Sequence, residues 1–444
     1  MSPRSRVALT LFVLLIFVAP TVPAQVVEKR PSSSSTSQKT EAVEGKRYTR
    51  GVKTKGPDAA PAGVPERAAA RPSTAAVVWE PFAGMDAQVF PSFVVATATL
   101  RLPQEDDEEA DPFSLGEDMG FIGVTLEHVP ANSRLRVEVR PNAIMDASSF
   151  DGRAEAGAGD YDIYPKLNYK YDALLAWRQP MPLNVVMELF VDGQSLGTRS
   201  QTVTVRSIND CPFAILADED SDDDDLDLSW MFAAYVNEND PWVDRLTREA
   251  LDAKMLDAFS GYQEDSDEEV LRQVYAIWHT LQARGMRYSD ISQSSAESDV
   301  VLSQHVRLFD ESVTAHQANC VDGTVMFAAV LRKIGIEPYL VVLPGHMFLA
   351  FDLDAEGERS VGLETTMMGS TAAEPAGRSL VPPSMAARYR SLPSFRSFSA
   401  ALQAGTQDLN ENRAKFDGED PDYQVISLSE SRKMGILPLA YRPK

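Results

Sequence analysis

Three side chains in the segment 317–366 have the types and the order that covalent catalysis by a cysteine requires. Cys320 opens an apolar run that predicts a helix, His346 opens a predicted strand, and Glu364 lies on the next predicted strand. A thiol nucleophile, an imidazole base and a carboxylate that orients the base are the parts of a catalytic triad. The spacing therefore predicts a cysteine-dependent acyl-transfer site.

The element expected to carry Cys320 favours a reactive thiol. Residues 321–334 are strongly apolar and Gly335 follows them, which is typical of a helix end. Cys320 then lies at the helix N-terminus, where free N–H groups and the positive end of the dipole stabilise a thiolate. The same N–H groups are expected to hold the oxyanion of a tetrahedral intermediate. Gln317 is a candidate for a second donor or a subsite residue.

The strands that carry the histidine and the acid are expected to form a hairpin whose turn centres on Ala355. This register pairs His346 directly with Glu364, with their Cβ atoms about 5 Å apart. Asp352 lies on the histidine's own strand, about 20 Å away at roughly 3.3 Å per residue, so Glu364 is the predicted orienter. The register also gathers an apolar set on the other face: Met347, Leu349, Phe351, Val361 and Leu363.

Two other interpretations of these residues stay open at the level of sequence. The chain has two cysteines, Cys211 and Cys320, and an oxidising compartment would allow them to form a disulfide. A zinc site formed by His316, Cys320 and His346 is the second interpretation, but a fourth ligand is missing. We therefore predict neither a metal nor a cofactor.

The rest of the chain predicts an exported protein with two folded parts. Residues 1–24 have the basic start, short apolar run and small-residue end of a signal peptide, and no apolar stretch is long enough to span a membrane. Residues 25–76, rich in Ser, Pro, Lys and Arg, predict a disordered linker. We assign 77–208 to a β-sandwich, 209–228 to an acidic linker and 229–444 to a mixed helix–sheet domain.

Strand patterns support the sandwich assignment, and helical patterns follow it. Residues 134–140 alternate strictly between polar and apolar side chains. Asp192-Gly193 separates two strand-like runs, which is a tight hairpin signal. Further strands are expected at Val89–Leu102 and Gly120–Val129, with no catalytic pattern among them. After residue 229, apolar side chains recur at helical spacing, as in Val270 to Leu281.

The charge pattern limits the class of partner. Residues 1–75 carry a net charge of +7, so the total of −23 leaves −30 for residues 76–444. A body of this acidity repels phosphate backbones, which argues against nucleic acid as a partner. A peptide or protein substrate fits the predicted chemistry, and the oligomeric state is open.

The motifs around the predicted site resemble those of the transglutaminase-like superfamily, a papain-type fold of cysteine hydrolases and acyltransferases. The resemblance rests on Asn319-Cys320-Val321-Asp322-Gly323, Pro344-Gly345-His346 and Gly362-Leu363-Glu364-Thr365-Thr366, and it covers about 270–370 as a core. It implies a helix-borne cysteine packed on an antiparallel sheet, with Cys320, His346 and Glu364 as the triad. A glutamate stands where the family usually has aspartate, and the stretch from cysteine to histidine is compact.

The resemblance implies hydrolysis of amide bonds through a thioester, by an exported bacterial peptidase or amidase. The same chemistry with an amine as acceptor would give transglutaminase-type crosslinking. A third interpretation keeps the papain-type part as an inactive scaffold and gives a surface-binding function to the β-sandwich.

Overall fold

The computed structural model describes residues 76–100, 111–117, 120–217, 225–290, 298–370, 379–418, 420 and 422–439. These residues form a mixture of helices and strands, and the strands are arranged in several separate sheets. The predicted signal peptide, nearly all of the predicted linker and the acidic run 218–224 lie outside the described residues. None of the described helices is long and apolar enough to cross a membrane.

The N-terminal part consists mainly of strands. Its elements are β1 (Val78–Ala83), α1 (Gly84–Ala87), β2 (Gln88–Val89), α2 (Pro91–Ala96), β3 (Ser114–Gly116), β4 (Ile122–Val129), β5 (Arg134–Val139), β6 (Ser148–Arg153), β7 (Gly159–Tyr164), α3 (Tyr171–Leu175), β8 (Met181–Val191) and β9 (Gln194–Val205).

These strands form two sheets that share one core. One sheet has the order β1-β4-β7-β3 and the other has the order β2-β9-β8-β5-β6. The alternation predicted in β5 is confirmed, because Leu135, Val137 and Val139 are buried while their neighbours are not. The β8–β9 hairpin is also confirmed, since Val191 pairs with Gln194 and both turn residues have positive φ.

The strand predicted over Val89–Leu102 is wrong. Only β2 at its start is extended, and Pro91–Ala96 is a helix whose six residues are all buried. Proline at the first helical position presets the backbone for a helix. The apolar run is therefore a buried helix, a case that hydrophobicity alone does not separate from a buried strand.

The C-terminal part mixes helices with short sheets. Its elements are β10 (Asp210–Ile215), β11 (Leu226–Asp227), a 3₁₀ helix (Ser229–Tyr235), α4 (Pro241–Asp252), α5 (Asp267–Ala283), β12 (Arg287–Tyr288), β13 (Val301–His305), α6 (Phe309–Ala315), β14 (Gln317–Ala318), α7 (Cys320–Lys333), β15 (Pro338–Leu343), β16 (His346–Asp352), β17 (Ser360–Leu363), a second 3₁₀ helix (Thr365–Met367), α8 (Pro383–Tyr389), α9 (Pro393–Phe416), β18 (Gln424–Ser427) and α10 (Leu428–Met434).

A four-stranded antiparallel sheet of order β17-β16-β15-β18 forms the base of the predicted site. One face carries Met347, Leu349, Phe351, Val361 and Leu363, which join the main hydrophobic core together with the buried residues of α7. The other face carries Val341, Phe348 and Ala350, which pack with Leu409 and Phe416 of α9. The sheet is thus covered by α7 on one side and α9 on the other.

The segment 209–228, predicted as a linker, begins instead with a strand. β10 pairs with β11 and with β13, so it belongs to a sheet of the C-terminal part. Its first half is fully buried, including the side chain of Cys211. Burial of an apolar stretch favours a packed strand over a solvated linker.

Candidate functional site

Cys320 is the first residue of α7, and the N-terminus of this helix is capped by two reciprocal hydrogen bonds. The Asn319 side chain accepts a hydrogen bond from the backbone N–H of Asp322 (2.8 Å), and the Asp322 side chain accepts one from the N–H of Asn319 (3.1 Å). This reciprocal capping box fixes where the helix starts. The helix ends at Lys333, and Gly335 follows with φ +81°. Cys320 is half-buried.

A buried ion pair between Asp322 and Arg307 stabilises the first turn of α7. Asp322 is fully buried, and its carboxylate accepts from the backbone N–H (2.8 Å) and the guanidinium (2.6 Å) of Arg307. An unpaired carboxylate at this depth would be costly, so Arg307 and the capping box must form together. The Asn-x-x-Asp spacing was a sequence signal for the cap. Arg307 had no such signal, because its loop reaches Asp322 only in the folded chain.

The predicted hairpin register is wrong by two residues. Leu349 pairs with Leu363 and Asp352 with Ser360, so the turn centres on Glu356 and not on Ala355. The loop is wider because Leu353 donates its N–H to the carbonyl of Arg359 (2.7 Å), beyond the last pair of the ladder. A shift of two residues keeps each side chain on its own face, which is why the apolar face came out as predicted.

The loop that sets this register is held by Asp354. Its carboxylate accepts from the backbone N–H of Glu358 (2.8 Å) and from Nε of Arg359 (2.9 Å). Asp354 is buried, so these bonds stabilise the wider loop over a tight turn at Ala355.

The structure brings His346 and Glu364 together despite the shifted register. Continuing the observed pairing places Glu364 opposite Phe348, so His346 and Glu364 are diagonal neighbours, typically 7–8 Å apart at the backbone. The glutamate side chain spans this gap, and its Oε2 lies 2.7 Å from His346 Nε2. Asp352 bonds instead to Tyr339 (2.9 Å) and Ser360 (2.6 Å).

Glu364 is held in place through its second oxygen. Oε1 accepts from the backbone N–H of Thr366 at 3.0 Å and from its hydroxyl at 2.5 Å. The acid therefore also caps the short 3₁₀ helix that follows β17. Its side chain is only 8 % exposed, whereas that of His346 is 31 % exposed. The carboxylate is a fixed partner and the imidazole is the accessible one.

The contacts of His346 set its protonation state. Burial alone would lower its pKa, but hydrogen bonds to Cys320 and Glu364 and their negative charges outweigh burial and raise the pKa to about 10. Burial opposes ionisation of Glu364 in the same way, yet its bond to His346 holds its pKa below the ordinary value. Since Nε2 faces Glu364, Nδ1 is the ring nitrogen left to face the Cys320 thiol.

We expect the His346 imidazole to stay protonated well above neutral pH. Folding raises its pKa, so its contribution to stability is complete below about pH 6.5 and is lost as the pH rises through about 10. Histidine NMR titration measures this, with His346→Gln to assign the signal among the five histidines. Glu364→Gln should move the midpoint downward. A wild-type midpoint near 6.5 would contradict the ion pair.

Helix α9 fixes the strand end that carries Glu364. The backbone N–H of Glu364 donates to the carbonyl of Ala401 (3.0 Å), and that of Gly362 donates to the Thr406 hydroxyl (3.1 Å). β17 is an edge strand, so these bonds satisfy groups that no neighbouring strand pairs. The approach is possible because glycines face each other: a Cβ on Gly362 would lie 2.2 Å from the backbone of Gly405.

Gln317, the candidate oxyanion or subsite residue, lies on β14 and is exposed. β14 runs parallel to β12, which places Tyr288 beside Ala318, two residues before the cysteine. Tyr288 is 43 % exposed, and besides burial the charges of Cys320 and Glu364 raise its pKa. Tyr288 thus lies at the mouth of the site. No sequence pattern indicated Tyr288, because β13 and α6 separate it from Cys320 along the chain.

Asp408 of α9 is a second neighbour that the sequence did not indicate. Burial raises its pKa, the charge of Glu364 raises it further, and the charge of His346 lowers it. Asp408 is one helical turn after Gly405, which contacts β17 directly. The electrostatic environment of the imidazole therefore contains two carboxylates.

The two alternative interpretations of Cys320 can be compared with the structure. Cys211 and Cys320 are both free thiols; Cys211 is fully buried, and burial raises its pKa. His316 is the C-terminal cap of α6 and has a left-handed backbone conformation. Its Nδ1 lies 2.6 Å from the carbonyl oxygen of Arg284. No group of three or more His, Cys, Asp or Glu side chains suited to a metal occurs within the described part of the chain.

Comparison with known proteins adds no relative to this picture. No protein-family model, no curated protein and no solved structure matches the chain. The resemblance to the transglutaminase-like superfamily therefore stays a prediction from the motifs, and the function must be argued from the geometry of the site.

Proposed function

We propose that this chain is an exported cysteine-dependent hydrolase of amide bonds, a peptidase or amidase with the triad Cys320, His346 and Glu364. The observation that supports it is the ordered series of contacts: a half-buried thiol at a helix N-terminus, an accessible imidazole beside it, and a buried carboxylate 2.7 Å from the far ring nitrogen. A histidine with a purely structural role does not require this thiol, this exposure and this carboxylate at the same time. The motifs of the transglutaminase-like superfamily are compatible with the same chemistry.

The first half of the reaction forms a thioester. Before substrate binds, His346 already holds the proton of the Cys320 thiol as an imidazolium, and the Cys320 thiolate beside it attacks the amide carbon of the substrate. The negative charge moves to the carbonyl oxygen, near the backbone N–H groups of Cys320 and Val321. These belong to the first turn of α7 and have no acceptor within the helix. The C–N bond then breaks, and the imidazolium returns its proton to the departing amine.

The second half releases the acid. His346 takes a proton from water while that water attacks the thioester carbon, and the C–S bond breaks to release a carboxylic acid and restore the thiolate beside the imidazolium. Glu364 holds the imidazole in one orientation and stabilises its positive charge in both halves. Because its other oxygen is fixed by Thr366, the carboxylate does not rotate away between steps.

A second candidate is transfer of the acyl group to an amine in place of water. Asp408 and Asp290 contribute negative charge around Glu364 and Tyr288, and residues 76–444 are acidic as a whole. Such a field raises the local concentration of cations, including protonated amines. Covalent incorporation of a labelled primary amine into a glutamine-containing peptide, dependent on Cys320, would favour acyl transfer over hydrolysis.

Alkylation of the native protein by iodoacetamide near neutral pH tests the activated thiol. We expect fast labelling of Cys320 and none of the fully buried Cys211, read by peptide mass spectrometry. His346→Ala should slow labelling of Cys320 because it removes the proton acceptor.

His128→Asn is the matched control for that experiment. His128 is exposed on the N-terminal part with φ +62°, a conformation that asparagine tolerates. Its labelling rate should equal that of the unchanged protein. If Cys320 labels no faster than a free peptide thiol, or equally fast in His346→Ala, the proposed triad is wrong.

A further inference from the structure

Two buried threonines lie in contact where α7 meets the 3₁₀ helix that follows β17. Thr324 is one helical turn after Cys320 and is fully buried. Thr365 directly follows Glu364, opens the 3₁₀ helix and is 3 % exposed. The hydroxyl oxygens of the two threonines are 3.5 Å apart. We call these two side chains the threonine pair.

The Thr324 hydroxyl contacts the backbone of two elements that carry the site. It donates to the carbonyl oxygen of Cys320 at 2.8 Å, and it lies 3.5 Å from the carbonyl oxygen of Met347, the residue after His346. Because its single proton is used in the short bond to Cys320, Thr365 is the donor between the two hydroxyls. One side chain thus contacts the nucleophile's own backbone, the residue beside the base and the residue beside the acid.

The close approach of Thr365 to α7 depends on a glycine in the first turn of that helix. A Cβ on Gly323 would lie 2.8 Å from the hydroxyl oxygen of Thr365 and 3.1 Å from its Cβ. Glycine lowers the stability of a helix interior relative to alanine, and here it leaves the space that Thr365 occupies. The first turn of α7 is therefore in direct contact with the residue that follows Glu364.

The hydrogen bonds that fix Glu364 do not by themselves set its distance from the nucleophile. Its carboxylate is held by Thr366 and its backbone by Ala401, and neither of these residues belongs to α7. A displacement of about 1 Å between reacting groups lowers a rate by about 100-fold. The threonine pair provides a polar contact between α7, which carries Cys320, and the ends of the two strands that carry the base and the acid.

We infer that Thr324 and Thr365 are positioning residues, which hold the backbones of the three triad residues at the spacing that the reaction requires. This role rests on the proposed function, because the spacing affects a rate only if the triad side chains react together. Both hydroxyls are buried, so they act on the reaction through the backbones they contact. A buried network of hydroxyl and carbonyl groups favours one arrangement over others, which apolar packing does less strictly.

Thr324→Val tests this role, since valine keeps the shape of threonine and removes its hydroxyl. Burial lowers the pKa of His346, whereas the hydrogen bonds and charges of Cys320 and Glu364 raise it to about 10, so the titration midpoint of the imidazole reports the spacing. We expect histidine NMR titration to show a midpoint lowered by about one pH unit or more in Thr324→Val. The kcat for an amide substrate should fall about 10- to 100-fold with KM unchanged. Thr324→Ser keeps the hydroxyl and should restore both values.

Thr280→Val is the matched control for the loss of a helical hydroxyl. Thr280 is buried in α5, and its hydroxyl donates to the carbonyl oxygen of Ala276 at 2.8 Å, the same bond to the preceding turn that Thr324 makes. Thr280→Val should lower stability in chemical denaturation as Thr324→Val does, and it should leave the His346 midpoint and kcat unchanged. Equal midpoints in the two variants, or a loss of kcat that Thr324→Ser does not restore, would overturn the positioning role.

The positioning and the reaction are tested by separate measurements. Iodoacetamide labelling of Cys320 in the unchanged protein tests the reaction without involving the threonine pair. Slow labelling, with a His346 midpoint that still falls in Thr324→Val, would overturn the proposed function and support the positioning of the three side chains. Fast labelling, with a midpoint that Thr324→Val leaves unchanged, would overturn the positioning role and leave the proposed function in place.

Discussion

Cys320→Ala is expected to abolish turnover of amide substrates while leaving the fold intact. In the proposed reaction the Cys320 sulfur forms the acyl bond, so its loss should reduce kcat by at least about 1,000-fold. The cap of α7 is made by Asn319, Asp322 and Arg307 and does not involve the Cys320 side chain. Digestion of a peptide library, together with intact-mass detection of an acyl-enzyme in the unchanged protein, measures the effect.

Cys211→Ala is the matched control for the nucleophile. Cys211 is the other thiol of the chain and is fully buried on β10, in a separate sheet. This substitution should lower stability modestly and leave kcat unchanged. If Cys320→Ala retained full biological activity, the N-terminal strands would become the functional part of the protein, and the C-terminal part would be a scaffold.

Gly362→Ala adds one methyl group, and we expect it to destabilise the protein more than any other substitution considered. Its Cβ would lie 2.2 Å from the backbone carbonyl of Gly405, and backbone atoms cannot move aside as a side chain does. We expect the free energy of unfolding to fall by about 3 kcal/mol or more. Activity should fall as well, because separating β17 from α9 breaks the bond between Glu364 and Ala401.

Chemical denaturation measures the free energy of unfolding, and the rate of turnover of an amide substrate measures the loss of activity. Gly84→Ala is the control: the nearest atom to its added Cβ is 3.4 Å away, an ordinary contact, and its φ is not positive. A Gly362→Ala protein as stable as the Gly84→Ala protein would show that the backbones of α9 and β17 are not in the close contact described.

The sequence predicted local features of the site better than its long-range contacts. The start of α7 could be predicted because a sharp change from polar to apolar residues coincides with Asn319 and Cys320. The face of each hairpin residue could also be predicted, since alternation survives an even shift of register. The turn itself could not, because the wider loop depends on bonds of Asp354 to residues beyond the turn.

Residues far apart in sequence had no comparable signal. Arg307 beneath α7, Tyr288 beside Cys320 and Asp408 of α9 are brought to the site by packing between separate elements. α2 shows the converse limit: its apolar run fits a buried strand and a buried helix equally well. Residue types were sufficient to single out Cys320, His346 and Glu364, but they did not indicate the residues that surround them.

The crossing of α9 over β17 also determines when the site can form during synthesis. Residues 320–364 contain all three triad side chains, yet the backbone of Glu364 is fixed by Ala401, and the sheet is completed by β18 (Gln424–Ser427). An emerging chain that has not reached these elements carries a cysteine without an aligned base. His346 and Glu364 can therefore take up the described arrangement only after the C-terminal elements have folded back.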